Sequence, residues 1–194
     1  MPETIRDGKG RGYLAAVNAD NQIITRSTII EQRLMSTLDL NYYEATTGQI
    51  TLTDAVETGI IYLKNDITTN LNIIIDRVFW DTWSSTSGSG ADGTVKYYKN
   101  PTITGGTDIV PNNTNFGSIS TAEGTFKKSL TTMTGTNWWT GYITDKTSFA
   151  IEEARIVIPS GTSFGISVAA PTGNTSMKIS INIAFYYLDT TLVE

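Results

Sequence analysis

The sequence predicts an all-β fold: an antiparallel β-sandwich of jelly-roll type with long loops and a flexible N-terminal arm. Three observations carry this. Thr is abundant and accompanied by Ile, Val and Tyr, residue types that suit a pleated, half-buried surface, while long Lys/Glu/Leu helical stretches are missing. Clusters of Gly, Asn, Asp, Ser and Pro recur between the apolar segments, where turns need them. In the last segment Met177, Ile179, Ile181, Ile183, Phe185 and Tyr187 share one parity, and Lys178, Ser180, Asn182, Ala184 and Tyr186 share the other. Alternation with period two over that length means one buried face and one wet face.

The elements follow in chain order. Residues 1–12 read as a flexible arm, because Gly8-Lys9-Gly10-Arg11-Gly12 offers no side-chain packing. A single sandwich domain is expected over 13–194. Tyr13 to Val17 is a short apolar segment, Asn18 to Asn21 a turn, and Gln22 to Ile30 a strand. Residues 31–46 fit either a helical stripe (Ile30, Leu34, Leu38) or an alternating strand (Leu38, Leu40, Tyr42), and extended structure is favoured. Further strands are expected at Gln49–Thr53, Gly59–Asn65 and Leu71–Trp83. The last is apolar on both parities over Ile73–Ile75 and therefore needs cover on both faces. A flexible loop is expected over 84–93. A strand from Thr94 to Lys99 is expected to stop at Asn100-Pro101, followed by a long ordered loop over 100–124 with room for one short strand. Thr125–Leu130 starts a strand, Thr134–Trp139 reads as a loop, and strands follow at Phe149–Ile158, Ser163–Ala169 and Met177–Leu188. Eight to ten strands separated by turn signals are the pattern of a sandwich or jelly roll.

Composition narrows the function. The chain has 194 residues, no Cys and no His. Thiolate nucleophiles, disulfides, Ser-His-Asp triads and the usual transition-metal sites are thereby excluded. Any catalysis would rest on carboxylates, Lys or Tyr. The net charge of −5 argues against nucleic-acid binding, which needs excess Lys and Arg. No apolar run is long enough for a membrane helix, and Met1–Asp7 lacks the apolar stretch of a secretory signal, so synthesis in a cytoplasm is expected.

Gly88-Ser89-Gly90-Ala91-Asp92-Gly93 spells GxGxxG, but a β-type segment follows where a dinucleotide site needs a helix, so it reads as a loop. Among carboxylates, Glu152 and Glu153 are strand neighbours that point apart, and Asp76 and Asp81 fall on opposite parities. No glycosidase-type pair is expected from them. Asp54, Asp66, Asp92, Asp108 and Asp145 lack the ligand spacing of an EF-hand. No catalytic residue, metal site or cofactor is expected. The aromatics Trp83, Trp138, Trp139 and Tyr142, with Trp80, carry more weight: adjacent tryptophans either pin a loop or belong to an interface or a sugar-stacking platform.

Several motifs together resemble a class of small virion proteins of tailed bacteriophages. They are Gly12-Tyr13-Leu14-Ala15-Ala16-Val17 after a basic start, Asn21-Gln22-Ile23-Ile24-Thr25, Gly48-Gln49-Ile50-Thr51-Leu52-Thr53-Asp54-Ala55-Val56-Glu57-Thr58, Lys99-Asn100-Pro101-Thr102, Asn115-Phe116-Gly117-Ser118, Ile158-Pro159-Ser160-Gly161-Thr162-Ser163-Phe164-Gly165-Ile166 and Pro171-Thr172-Gly173-Asn174-Thr175-Ser176. The resemblance implies a non-enzymatic structural protein of the virion, assembled in the host cytoplasm, of the capsid decoration or head-fibre type. It implies self-association, expected as a homotrimer, and binding to the major capsid protein or other virion proteins. Arg6, Lys9 and Arg11 are then expected to dock the arm on an acidic capsid surface. The alternative is a carbohydrate-binding tip of a tail fibre that recognises a host glycan through Trp83, Trp138, Trp139 and Tyr142.

Overall fold

The computed structural model describes residues 41–84, 93–144, 146–151 and 156–189, together with the backbone of four short strands before residue 25. Contacts divide the chain after Glu31, into Met1–Glu31 and Gln32–Glu194, rather than after residue 12. In the first unit β1 (Thr4–Arg6) pairs antiparallel with β2 (Gly12–Leu14), and β3 (Ala16–Val17) with β4 (Ile23–Ile24). The segment expected as a flexible arm, 1–12, contains β1. The second pair flanks the turn expected at Asn18–Asn21. The ambiguous residues 31–40 and the 85–92 loop lie outside the described residues.

The second unit is built from β5 (Tyr42–Thr46), β6 (Ile50–Thr51), β7 (Glu57–Lys64), β8 (Leu71–Trp83), β9 (Gly93–Asp108), β10 (Asn112–Asn113), β11 (Thr125–Ile143), β12 (Ser148–Ile151), β13 (Ile156–Ile158), β14 (Ser163–Ala169) and β15 (Lys178–Asp189). No helix occurs among the described residues. One sheet runs β10-β5-β15-β8-β12, with β13 also on β8 and β6 on β15. In the other, β11, β7, β14 and β9 pair in a closed ring. The two antiparallel sheets pack face to face as a β-sandwich.

The alternation in β15 has the expected consequence. Ile179, Ile181, Ile183 and Phe185 are buried between the sheets, against Ile61 and Leu63 of β7, Val95 and Tyr97 of β9, and Ile166 and Val168 of β14. Each such side chain contributes roughly 1.5–3 kcal/mol. Phe185 stacks between Tyr43 and Phe126, with ring centroids 5.7 and 5.2 Å away.

Strand β8 departs from simple alternation for a definite reason. Its register against β15 slips between Arg77 and Ile75, leaving Asp76 as an extra residue. Such a bulge inverts the parity beyond it. Ile73 and Ile75 face the core before the bulge, and Val78, Trp80 and Thr82 do so after it. Ile74, on the other face, is half-buried. The bulge corrects one expectation: Asp76 and Asp81 share the outer face. They still do not converge, because the rise of about 3.3 Å per residue puts them more than about 13 Å apart.

The largest correction concerns β9 and β11. Strand β9 does not stop at Asn100-Pro101, and Thr134–Trp139 is not a loop: the two strands pair from Gly93–Ile143 to Asp108–Lys127. At the middle of this ladder Asn100 and Pro101 stand opposite the single residue Gly135. Asn100 takes a left-handed φ of 48°, which Asn tolerates, and its Oδ1 accepts a hydrogen bond from Ser163 N at 2.8 Å. A Cβ on Gly135 would lie 3.0 Å from Pro101 Cα. The proline therefore bends the ladder instead of ending it.

Beyond the bend the ladder curls over the outer face of β7 and β14 and encloses a second small core of Tyr62, Tyr98, Leu130 and Met133, flanked by Ile103. Glycines make room for it. A Cβ on Gly59 would lie 2.8 Å from Leu130 Cβ, and one on Gly165 would lie 2.7 Å from Met133 Cε.

Candidate functional site: an aromatic strand edge

Strand β11 serves two halves of the molecule. Thr125–Leu130 is held on both sides, by β7 and by the distal part of β9. From Thr132 to Ile143 it pairs, among the described residues, with β9 alone. Trp138, Trp139 and Tyr142 all stand on this second half. A register shift between Asn137 and Trp139 makes Trp138 a bulged residue, and the Asn137 side chain braces the bulge by accepting a hydrogen bond from Trp139 N (3.2 Å).

The two tryptophans divide their roles. Trp139 leans into the side of the sandwich, 4.6 Å from the Tyr97 ring and 6.3 Å from the Phe149 ring. Phe149 in turn stacks on the buried Trp80. Gly141 is required beneath Trp139, since a Cβ there would lie 2.4 Å from the indole. Trp138 touches Tyr97 edge-on but remains 51% exposed, and Tyr142 is 72% exposed. The structure therefore brings three of the four aromatics together on one strand. Trp83 stands apart, on the outer face of the other sheet, 48% exposed beneath the Lys178 ammonium.

Trp138 also borders a groove of about 450 Å³ between the sheets. Its floor is Ile156, Val157, Ile158 and Pro159, and its polar rim includes Lys99 and Asn100. The size and the mostly apolar lining with a few polar groups are those of a small-ligand cleft.

A second feature was not legible in the sequence. Glu57 of β7 accepts hydrogen bonds from Lys96 Nζ (2.5 Å), Tyr98 OH (2.5 Å) and Ser167 Oγ (2.6 Å), which come from β9 and β14. Burial pushes the Glu57 carboxyl up, but the three donors together outweigh it and hold it below its ordinary value. The Glu57 carboxylate in turn raises the Lys96 ammonium. Burial and the same carboxylate raise Tyr98. Glu57 is thus a hub that keeps its negative charge, unlike a general acid, which needs a raised value.

The third feature is a loop. Between β10 and β11, Phe116 and Ile119 are fully exposed, and Val110, just before β10, is 77% exposed. Hydrogen bonds hold the segment that carries them: Ser118 N donates to Asn115 O, the Tyr43 and Ser120 hydroxyls share one, and Glu123 N donates to Tyr187 OH (2.8 Å each). Tyr187 OH also donates to Glu123 O at 2.5 Å.

Of the basic residues expected to dock, Arg6 ends β1, and Lys9 and Arg11 lie outside the described residues, as do Glu152 and Glu153. Among the described residues no three acidic side chains gather as a metal-binding group. Comparison with models of known protein families gives no match, and neither does comparison with curated protein sequences.

Proposed function

We propose that this chain is a non-enzymatic structural protein of a bacteriophage virion, of the capsid decoration type, which binds and stabilises the capsid surface as a homo-oligomer. The observation that carries the reading is the loop with Phe116 and Ile119, with Val110 exposed on the other side of β10. Large apolar side chains fixed in water by a hydrogen-bonded backbone are what a docking knob requires. Strand order supports it. Taken in chain order, the eight principal strands (β5, β7, β8, β9, β11, β12, β14, β15) run 1-8-3-6 in one sheet and 2-7-4-5 in the other, as in a jelly roll. The test is co-sedimentation with phage capsids that lack the protein. Wild type is expected to bind, and the double variant Phe116→Ala/Ile119→Ala to lose at least about tenfold in affinity, the scale of one hot-spot residue. Equal binding by the variant would remove the knob from the account.

The Trp138 groove favours a second reading, a carbohydrate-binding domain of a tail fibre. Trp138→Ala would then weaken binding on a glycan array while the far-ultraviolet circular dichroism stays unchanged. An array without hits for wild type speaks against it.

A further inference from the structure

We infer that the free edge of β11, from Thr136 to Ile143, is a pairing surface for a second copy of this chain. The inference rests on the self-association half of the reading above and not on the capsid half.

An edge strand offers a row of unpaired N–H and C=O groups, and folded proteins blunt such edges with shortness, proline, charge or a bulge. The other sheet follows that practice at both ends. Strand β10 has two residues and follows Pro111; on the opposite edge β12 has four, and β13 has three and precedes Pro159. The β11 edge has the bulge at Trp138 and none of the other devices. It is eight residues long, and from Ser129 to Thr144 the chain contains no Lys, Arg, Asp, Glu or Pro. Among the described residues its only strand partner is β9. It also carries Trp138 and Tyr142, half or more exposed. The bulge at Trp138 is its single irregularity, and pairing with β9 is continuous from Trp139 to Ile143.

The charge pattern selects the occupant. Each copy carries a net charge of −5, so two copies repel over most of their surfaces. A charge-free edge is where a like-charged copy meets no local repulsion, and it supplies the same row of donors and acceptors in return. An antiparallel edge-to-edge contact is two-fold, so each segment meets itself in reverse. Such a contact gives even-numbered species, unlike the three-fold assembly expected from the resemblance.

The absence of cysteine makes the test clean. Thr140→Cys, alone or mixed with Tyr142→Cys, is expected to form a disulfide-linked dimer under mild oxidation. Ile119→Cys, in the loop between β10 and β11, and Thr104→Cys, opposite Thr132 beyond the bend at Gly135, are expected to stay uncrosslinked. Thr140→Lys places a charge on the edge and should weaken association at least tenfold in sedimentation equilibrium, with an unchanged circular dichroism spectrum. Wild-type protein that is monomeric at 100 μM, a concentration of about the order at which weak specific contacts form, would overturn both this inference and the self-association reading. An oligomer that resists Thr140→Lys, or that crosslinks at Ile119 and not at Thr140, would overturn the edge pairing alone.

Discussion

Strands β15 and β11 are built as opposites. Strand β15 lies inside its sheet, paired with β5 and β6 on one side and β8 on the other. Its side chains alternate cleanly, and its apolar half is the floor of the main core. Strand β11 is held on both sides only at its start. It bends at Gly135, bulges at Trp138 and leaves its aromatics partly in water. The comparison separates side chains that hold the fold together from side chains left free to meet something else.

The largest expected effect falls on β15. Phe185→Ala removes a ring stacked between Tyr43 and Phe126 and should cost about 3–5 kcal/mol in urea unfolding. Trp138→Ala, on a half-exposed ring, should cost less than about 1 kcal/mol. If the two losses were equal, the division between the strands would fail. Next comes the small core under the bent ladder. Gly59→Ala drives a methyl against Leu130 and should cost about 1–3 kcal/mol. A neutral result would mean that the ladder lifts freely from β7. Tyr187→Phe removes both hydrogen bonds to the Glu123 backbone and should cost about 1 kcal/mol, with faster amide exchange at Glu123.

The smallest effect is electrostatic. The folded Glu57 carboxyl lies below its ordinary value of 4.5, so its contribution is complete above that pH and is lost as pH falls through the folded value. Lys96 lies above its ordinary 10.5, so its share is complete below that pH and is lost as pH rises past the folded value. Both groups are about a third exposed, and water screens the pair to under about 1 kcal/mol. Glu57→Gln should flatten the acid limb of a stability–pH curve. An unchanged limb would show that the hub is already broken in solution.

The same comparison explains what could be read from sequence. Strands β8 and β14 match their expected spans, and β15 matches to within a residue, because each is an apolar or alternating run bounded by turn residues. Strands β9 and β11 were hidden because Asn100-Pro101 and Thr134-Gly135 carry turn chemistry. Only the pairing, with two residues facing one, reveals that they bend a ladder. The Asp76 bulge was hidden for the same reason, since parity counted along the chain ignores an extra residue. The aromatics of β11 were legible as a cluster because Trp138, Trp139 and Tyr142 are near in sequence. Trp83, equally apolar, belongs to the other sheet. Glu57, Lys96, Tyr98 and Ser167 were not legible at all, because three strands far apart in sequence bring them together.

Amide hydrogen exchange across a concentration series tests the division between the two strands most directly. The amides of Ile179–Phe185 are expected to exchange slowly at every concentration. Those of Trp138–Ile143 that point away from β9 are expected to exchange quickly in dilute protein and to become protected as concentration rises. Protection of that edge at all dilutions, or its absence at all concentrations, would contradict the account of β11 as a strand left open for a second copy.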